Sequence, residues 1–312
     1  MKYAPLVFFL VLACSTTESE QTKEVLDAPY VIVLGTVQDA GSPQAGCKKE
    51  CCKHLFDNPD YTRKVTSLGL VDPISKETWL FEATPDLPAQ QKILTAEIGK
   101  NEAPNGVFLT HAHIGHYTGL MYLGHESMGA ENVPVYTMPR MKEYLESNGP
   151  WSQLVNFKNI DLKKMAHDSS FNLNKRIKVT PFLVPHRDEY SETVGYRIET
   201  TSKSLLFIPD INKWNIWERS IVDEIAKVDY AFLDATFYDN NEVNRDMSEI
   251  PHPFVQESMD LFKDMTVNEK TKVHFIHFNH TNPLLNSTSE EFSTVKNLGY
   301  QIAEFKQIIS LD

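Results

Sequence analysis

Short apolar runs alternate with polar connections along the chain, which predicts many short strands and few long helices. Runs rich in β-branched and aromatic residues predict strands at 30–37, 67–71, 78–83, 106–110, 133–137, 177–184, 193–200, 204–209, 230–235 and 272–278. Helical periodicity predicts helices near 117–127, 139–147, 215–227, 254–264 and 288–297. The segments TSK and VDPISKETW predict hairpin turns. This order of elements predicts an α/β sandwich of two sheets.

Polar residues that can bind a metal follow directly after several of the predicted strands. They are His111, His186, Asp210, Asp234 and His277. Side chains at strand ends along one edge of a sheet are held rigidly and can converge. Together, these positions favour a shared metal site over separate structural roles.

The size and charge of the chain limit its function. It has 312 residues and no Pro/Gly/Ser-rich linker in its middle, so we expect a single domain over residues 28–312. A formal charge of −12 argues against a general affinity for nucleic acid, and no nucleic-acid partner is expected. A small anionic substrate is compatible with this charge, because a bound metal ion reverses the local field.

The N-terminus has the features of an export signal. In MKYAPLVFFLVLAC, Lys2 precedes an apolar run that is too short to span a bilayer. The ending VLAC resembles a bacterial lipobox, which implies a signal peptide over 1–13, lipidation of Cys14 and a flexible tether over 14–27. We therefore expect a lipid-anchored protein of the bacterial cell envelope, facing the periplasm and touching the membrane only through this anchor. The alternative is an ordinary cleaved signal and a secreted protein.

The segment LTHAHIGHYTGL carries His111, His113 and His116. Their spacing cannot place all three on one helical face, but it fits a strand end, a tight loop and the first turn of a helix. A catalytic zinc ion needs about three protein ligands and an open position. The alternative is a solvated histidine cluster at the surface.

The segment THAHIGH resembles the His-x-His-x-Asp-His signature of the metallo-β-lactamase superfamily, and the resemblance extends from about residue 30 to 305. It implies an αββα sandwich of two mixed sheets flanked by helices. Glu82, in WLFEATPD, matches the acidic end of an early strand that supports the ligand loop. The implied metal ligands form two sites, His111, His113 and His186 in the first and His116, Asp210 and His277 in the second.

Three further segments resemble one branch of that superfamily, which contains pyrroloquinoline quinone biosynthesis protein B and the cyclic-phosphate phosphodiesterases of phosphonate metabolism. These segments are VLGTVQDAGSPQAGC, FIHFNHTNPLL and DATFYD, the last containing Asp234 as a further supporting acid. The chain departs from the family pattern at Gly115, where the family has a metal-binding Asp. We therefore expect one firmly held Zn²⁺ and a weaker or absent second ion, with Mn²⁺ or Fe²⁺ as alternative metals. Substitution by a nearby acid such as Asp86 is the other possibility.

The segment GCKKECC contains Cys47, Cys51 and Cys52. An odd number of cysteines does not resolve into disulfides, and adjacent cysteines rarely pair with each other, so a structural Cys₃His zinc site is the better use. The phosphodiesterase relatives imply His280 as the fourth ligand, with His277 in the catalytic site. One disulfide with a free thiol, or exchanged roles for His277 and His280, are the alternatives.

His252 precedes a predicted helix in IPHPFVQESMDLF. In the phosphodiesterase and RNA-processing relatives a similar His protonates the leaving group, so His252 is the candidate general acid and Glu257 its orienting residue. A helix-entry His without chemistry is the alternative. The resemblance implies a zinc-dependent hydrolase in which metal-bound hydroxide attacks a small phosphodiester or cyclic phosphate. Lactone or β-lactam hydrolysis, and a non-hydrolytic accessory role in cofactor biosynthesis, stay open.

Overall fold

A computed structural model describes Met1 and residues 27–100, 102–187, 189–243, 246–247 and 249–312. Beyond Met1, the predicted signal peptide, Cys14 and the tether as far as residue 26 lie outside the described residues. Within the described ranges, no helix is both long and apolar enough to cross a membrane.

Two sheets of seven strands each organise the described part of the chain. The first sheet has the order β14-β1-β2-β3-β4-β5-β6, and the second has the order β13-β12-β11-β10-β9-β8-β7. The strands, in chain order, are Tyr30–Gly35 (β1), Ser67–Asp72 (β2), Glu77–Phe81 (β3), Gly106–Phe108 (β4), Val133–Thr137 (β5), Ile160–Lys164 (β6), Phe171–Asn172 (β7), Lys178–Leu183 (β8), Val194–Glu199 (β9), Ser204–Ile208 (β10), Tyr230–Asp234 (β11), Val273–Ile276 (β12), Gln301–Ile302 (β13) and Ile308–Ser310 (β14).

Each sheet is mixed, with an antiparallel half and a parallel half. In the first sheet, β14, β1, β2 and β3 pair antiparallel, whereas β3 to β6 pair parallel. In the second, β7 to β10 pair antiparallel and β10 to β13 pair parallel. Parallel strands end at the same edge of a sheet, so β3 and β4 in one sheet, and β10, β11 and β12 in the other, deliver the residues that follow them to one edge.

Helices connect these strands. The α-helices of the described residues are Glu50–Lys53 (α1), Leu87–Ala96 (α2), Ile114–Tyr117 (α3), Pro139–Ser147 (α4), Trp151–Asn156 (α5), Ile221–Ala226 (α6), Val255–Leu261 (α7), Val267–Lys270 (α8) and Glu290–Asn297 (α9). Short 3₁₀ helices span Thr118–Leu123, Trp214–Ile216 and Pro283–Leu285.

The main core lies between the two sheets. Strand β1 directs Val31 and Val33 into this layer and Ile32 to the opposite face, as the period of two for strands requires. From the second sheet, Phe207 and Phe232 enter the same layer. The outer face of the first sheet packs on α2, α4 and α5, and that of the second packs on α6, α7 and α9.

These layers confirm the predicted αββα sandwich. All the strands predicted from the sequence are present with boundaries that differ by a few residues, and both predicted hairpins, β2–β3 and β9–β10, are antiparallel pairs. Two predicted helices are shorter than expected. The segment 117–127 is mainly a 3₁₀ turn after α3, and 215–227 is divided by Ser220, whose hydroxyl caps α6 by accepting from Asp223 N.

Candidate metal centre

Buried polar residues gather where the parallel strands of the two sheets end. Glu82 follows β3, and His111 stands three residues after β4. In the second sheet, Asp234 is the last residue of β11 and His277 follows β12. His186 and Asp210 come shortly after β8 and β10. The predicted convergence of strand ends is therefore the geometry of this structure.

One group consists of His111, His113, His186 and Asp210, whose potential ligand atoms all lie within 4.8 Å of one another. Asp210 Oδ2 is 3.4 Å from His111 Nε2, and Asp210 Oδ1 is 3.3 Å from His186 Nε2. His113 Nδ1 lies 3.3 Å from His186 Nε2. Three imidazoles thus surround one carboxylate.

The ring nitrogens of this group are oriented by neighbours. His186 Nδ1 is 3.1 Å from Asn212 Oδ1, and His111 Nδ1 is 2.9 Å from the Thr110 hydroxyl. With Nδ1 carrying the hydrogen, Nε2 presents its lone pair inward. His111 Nε2 and Asp210 Oδ1 are buried and make no hydrogen bond.

Buried acceptors without donors are costly unless a cation joins them, so this donor set fits a divalent metal held by imidazole and carboxylate. Burial, with the neighbouring His116, holds the pKa of His111 well below its usual range, and burial lowers the pKa of His113 to about 4. Both rings are therefore neutral at pH 7, as metal ligation requires. Burial alone would raise the pKa of Asp210, but His186 and His252 hold it well below its usual range.

His116 and His277 form a second group, next to the first. His116 Nε2 lies 3.6 Å from Asp210 Oδ2, so Asp210 stands between the two groups. His277 Nδ1 is 2.9 Å from Thr236 Oγ1, and its Nε2 is buried without a hydrogen-bond partner. The third member of the group is Asp39, which the sequence analysis did not identify.

The carboxylate of Glu82 faces Nδ1 of His116. It is fully buried, and its Oε2 lies 3.6 Å from His116 Nδ1. Burial alone would lower the pKa of His116, but Glu82, with Asp39 and Asp210, raises it to about 9, so a cation bound by this ring would displace a proton. Glu82 (φ 78°) and His277 (φ 70°) both adopt the left-handed conformation, which costs about 1–3 kcal/mol for a residue other than glycine. Such outliers are concentrated at functional sites.

The structure corrects two of the predicted supporting roles. Glu257 does not orient His252, because its Oε2 accepts from Phe254 N at 2.9 Å and from Lys213 Nζ at 2.6 Å, and so caps α7. Asp86 does not complete the second group: its carboxylate accepts from Val65 N at 2.9 Å and from Lys64 Nζ at 3.2 Å. Both errors arise because sequence proximity does not reveal which backbone donors an acid meets.

Asp234 holds His252 instead. His252 Nδ1 lies 2.9 Å from Asp234 Oδ2 and 3.2 Å from Asp210 Oδ1. Burial alone would lower the pKa of His252, but the two carboxylates raise it to about 10. Asp234 also accepts from the backbone of Ile211 and Thr236, which fixes its own position. The predicted supporting role of Asp234 thus has a geometric basis.

A third group contains Cys47, Cys51, Cys52 and His280, with their potential ligand atoms within 4.8 Å of one another. The three cysteines are free thiols, which argues against the disulfide alternative. Burial raises the pKa of Cys51 to about 12, and the neighbouring Cys52 and Cys47 add to the shift because like charges repel. His280, and not His277, lies beside the cysteines, so exchanged roles do not match this geometry. The donor set fits tetrahedral zinc.

A cleft of about 880 Å³ opens beside these groups. His252 and Thr236, which contact the histidine groups, line it together with Cys47 and His280 of the third group. Among the described lining residues, the basic ones are Lys48, Lys49 and Arg187, and the acidic one is Glu249. Arg187 reaches the first group, with Nη2 3.4 Å from His113 Nε2. The cleft is therefore locally basic although the chain is acidic.

Comparison with known proteins identifies relatives of this arrangement. A family model described as Beta-lactamase superfamily domain matches residues 77–278. Coenzyme PQQ synthesis protein B of Xanthomonas axonopodis pv. citri (strain 306) is 24% identical over 302 residues, which cover 88% of this chain and 97% of that protein.

Two solved structures share the fold. Zn²⁺-bound PqqB from Methylobacterium extorquens has a TM-score of 0.74 and 22% identity, covering 90% of this chain and 100% of that one. A diphosphatase from the PhnP family has a TM-score of 0.61 and 20% identity, covering 90% of this chain and 96% of that one. At these identities the structural likeness establishes the fold.

Proposed function

The chain belongs to the beta-lactamase superfamily, and we propose that it is a zinc-dependent hydrolase of small phosphodiesters or cyclic phosphates. One observation carries the proposal: the basic cleft meets the His/Asp groups at His252 and Arg187. Anionic phosphate oxygens would pair with the cations of the cleft, and the scissile bond would then lie beside the metal ligands.

Basic side chains of the cleft would bind the substrate. The guanidinium of Arg187 lies close to His113. Because it is planar, it would bind two nonbridging oxygens of one phosphate group. Lys48 and Lys49 also line the cleft, and they follow Cys47 directly in the chain. A zinc ion in the Cys/His group would hold this segment, so the proposed structural metal would also fix part of the substrate site.

His252 would supply the proton for the leaving oxygen. It lines the cleft, and Asp234 accepts from its Nδ1, which favours the charged ring and fixes its orientation. A general acid placed in this way contributes about 10²–10⁴-fold to the rate. A zinc ion held by His111, His113 and His186, with Asp210 beside it, would supply Lewis acidity and an activated water. Mn²⁺ and Fe²⁺ are alternative ions for this donor set.

Metal analysis together with hydrolysis assays tests this proposal. Purified protein should contain zinc and hydrolyse bis(p-nitrophenyl) phosphate or a cyclic nucleotide. His111→Ala should lose both the catalytic zinc and the activity. His125→Ala is the matched control, because His125 packs against Phe157 with ring centroids 4.7 Å apart and belongs to none of the metal groups. Unchanged zinc and activity in His111→Ala would refute the proposal. Activity on a lactone or a β-lactam alone would overturn only the choice of substrate.

A non-hydrolytic role is the second candidate, favoured by the match to coenzyme PQQ synthesis protein B along 88% of this chain. In that case the metal groups would bind a cofactor precursor or a metal without bond cleavage. The two candidate functions differ in whether the protein hydrolyses a substrate. A protein that holds zinc at His111 but hydrolyses no phosphodiester, lactone or β-lactam would favour the accessory role.

We further propose that the protein acts at the bacterial cell envelope, anchored through a lipid on Cys14 and facing the periplasm. The support is the sequence VLAC after an apolar run. Growth with a labelled fatty acid tests this, since the wild-type protein should carry the label and Cys14→Ser should not. Release of unlabelled wild-type protein into the medium would favour a secreted protein.

A further inference from the structure

Gly115 leaves no room for a side chain in this fold. A Cβ atom built there would lie 2.3 Å from Asp39 Cβ and 2.5 Å from Asp39 Cα and O. Such distances are far inside van der Waals contact, and two of the three atoms belong to the backbone. The chain segment that carries Asp39 therefore fills the space next to Gly115, where the family pattern has its metal-binding Asp.

Asp39 is placed by backbone pairing with the end of β12. Gln38 N donates to Phe278 O at 2.8 Å, and Phe278 N donates to Thr36 O at 2.8 Å. Phe278 directly follows His277, so the same pairing fixes the loop and the ligand histidine relative to each other. The Gln38 side-chain amide donates to Asp39 Oδ1. Asp39 is thus held in place independently of α3, the helix that contains Gly115.

The Asp39 carboxylate reaches the second histidine group. One of its oxygens, a ring nitrogen of His116 and a ring nitrogen of His277 lie within 4.8 Å of one another. His277 Nε2 and both ring nitrogens of His116 are buried without hydrogen-bond partners. A single cation bound to all three residues would satisfy His277 Nε2 and one ring nitrogen of His116, and Nδ1 of His116 also has Glu82 Oε2 3.6 Å away.

We propose that Asp39 supplies the carboxylate ligand of a second metal ion, with His116 and His277, in place of the Asp that the family pattern puts at position 115. Asp210 lies between the two ions and is the shared ligand. The proposal rests on the proposed function for its first ion. It changes the expectation drawn from Gly115: the second site is complete, and its carboxylate comes from the loop after β1.

Zinc stoichiometry and affinity test the proposal without an activity assay. The full chain is loaded with Zn²⁺ and dialysed, zinc is counted by mass spectrometry, and the weakest site is titrated against a chromophoric chelator. Wild type should hold three ions, one in the Cys/His group and two in the His/Asp groups. Asp39→Asn should hold two. Glu249→Gln, which removes the acid that lines the cleft outside these groups, should hold three.

A conservative variant controls for misfolding. Asp39→Glu keeps a carboxylate on the same backbone segment, so it should retain the third ion that Asp39→Asn loses, with altered affinity. In Mn²⁺-loaded wild type, spin coupling between two ions should be visible by electron paramagnetic resonance and absent from Asp39→Asn. Three ions of unchanged affinity in Asp39→Asn would overturn the proposal. Two ions in wild type, one of them lost in His111→Ala, would overturn it while leaving the proposed function intact. A wild type without zinc at His111 would overturn both.

Discussion

The Nδ1 atom of His252 lies 2.9 Å from Oδ2 of Asp234. Asp234, the last residue of β11, therefore orients this imidazole. Helix α7 begins three residues after His252. We expect His252→Gln to lower kcat for a phosphodiester by about 100-fold, the lower limit for a positioned general acid, with unchanged zinc content. Steady-state kinetics and metal analysis on the same preparation check this.

The matched control for His252 is Glu257→Gln. Because Glu257 bonds Lys213 and caps α7, its removal should lower stability slightly and leave kcat near the wild-type value. A large fall in kcat for Glu257→Gln, with none for His252→Gln, would restore the role that sequence proximity indicates for Glu257.

Glu82 should matter for metal affinity. Its carboxylate is the buried acid behind His116, and residues that support metal-binding histidines typically contribute about 10–100-fold to affinity. We expect Glu82→Gln to weaken zinc binding at the His116 group by that factor. Competition titration with a chelator measures the change. Equal zinc affinity in the two proteins would show that Glu82 serves only the fold.

The Cys/His group should stabilise the fold. Cys51→Ala removes a thiol from α1, so we expect the loss of one zinc ion per chain and a fall in melting temperature of about 5 °C or more. Lys53→Ala on the same helix is the control, since Lys53 pairs only at the surface with Glu50. Calorimetry measures the melting temperatures, and mass spectrometry measures the zinc content of both variants. If Cys51→Ala holds as much zinc as Lys53→Ala, a structural zinc at this group is excluded.

The basic cleft should control substrate binding. Loss of one charge-assisted hydrogen bond costs about 1.5–3 kcal/mol, so Arg187→Ala should raise KM for a phosphodiester by about tenfold or more. Added salt should raise the wild-type KM as well. Lys142 pairs with Glu146 at the surface, so Lys142→Ala should change neither the phosphodiester KM nor its dependence on salt. A phosphodiester KM that is insensitive to Arg187 and to salt would argue for a neutral substrate.

Glu242 should make stability depend on pH. Burial raises its pKa to about 7, even though Thr281 and the Tyr238 backbone donate to it. Since the folded pKa exceeds the unfolded value of about 4.5, this group stabilises the fold fully below pH 4.5, and the contribution is lost as the pH rises through 7. Glu242→Gln cannot ionise, so relative to wild type it should gain stability between pH 4.5 and 7. Urea unfolding at several pH values tests this, with Glu249→Gln as control.

The layers of the fold could be predicted because most strands are buried on both faces and stand out as apolar runs. Strand β6 was missed because IDLKK is an edge strand whose polar half faces solvent. Helix α2 was missed because its apolar residues are spaced among glutamines, one of which, Gln90, is buried to bond Leu34 and Val65 carbonyls. Such a role depends on tertiary neighbours that a sequence window does not contain.

The candidate site was predictable where ligands follow apolar strands, as His111, His186, Asp210 and His277 do. Asp39 also follows a buried strand, β1, and the same reasoning extended to that strand would have identified it. The contact between Asp39 and Gly115 could not be predicted, because these residues are far apart in the chain and meet only in the folded structure. Asn212 and Thr236 were missed for a similar reason, since uncharged residues that orient imidazoles carry no pattern of their own.

The position of Asp39 also bears on the order in which the protein assembles. In the family pattern the second-site carboxylate is the sequence neighbour of its histidine, so that pair exists in the denatured chain. Here Asp39 and His116 are brought together only by long-range pairing, and closing such a loop costs entropy before any metal contact forms. The second ion would therefore bind after the segment that follows β1 has paired with the end of β12, and its uptake during refolding would report that this long-range pairing has formed.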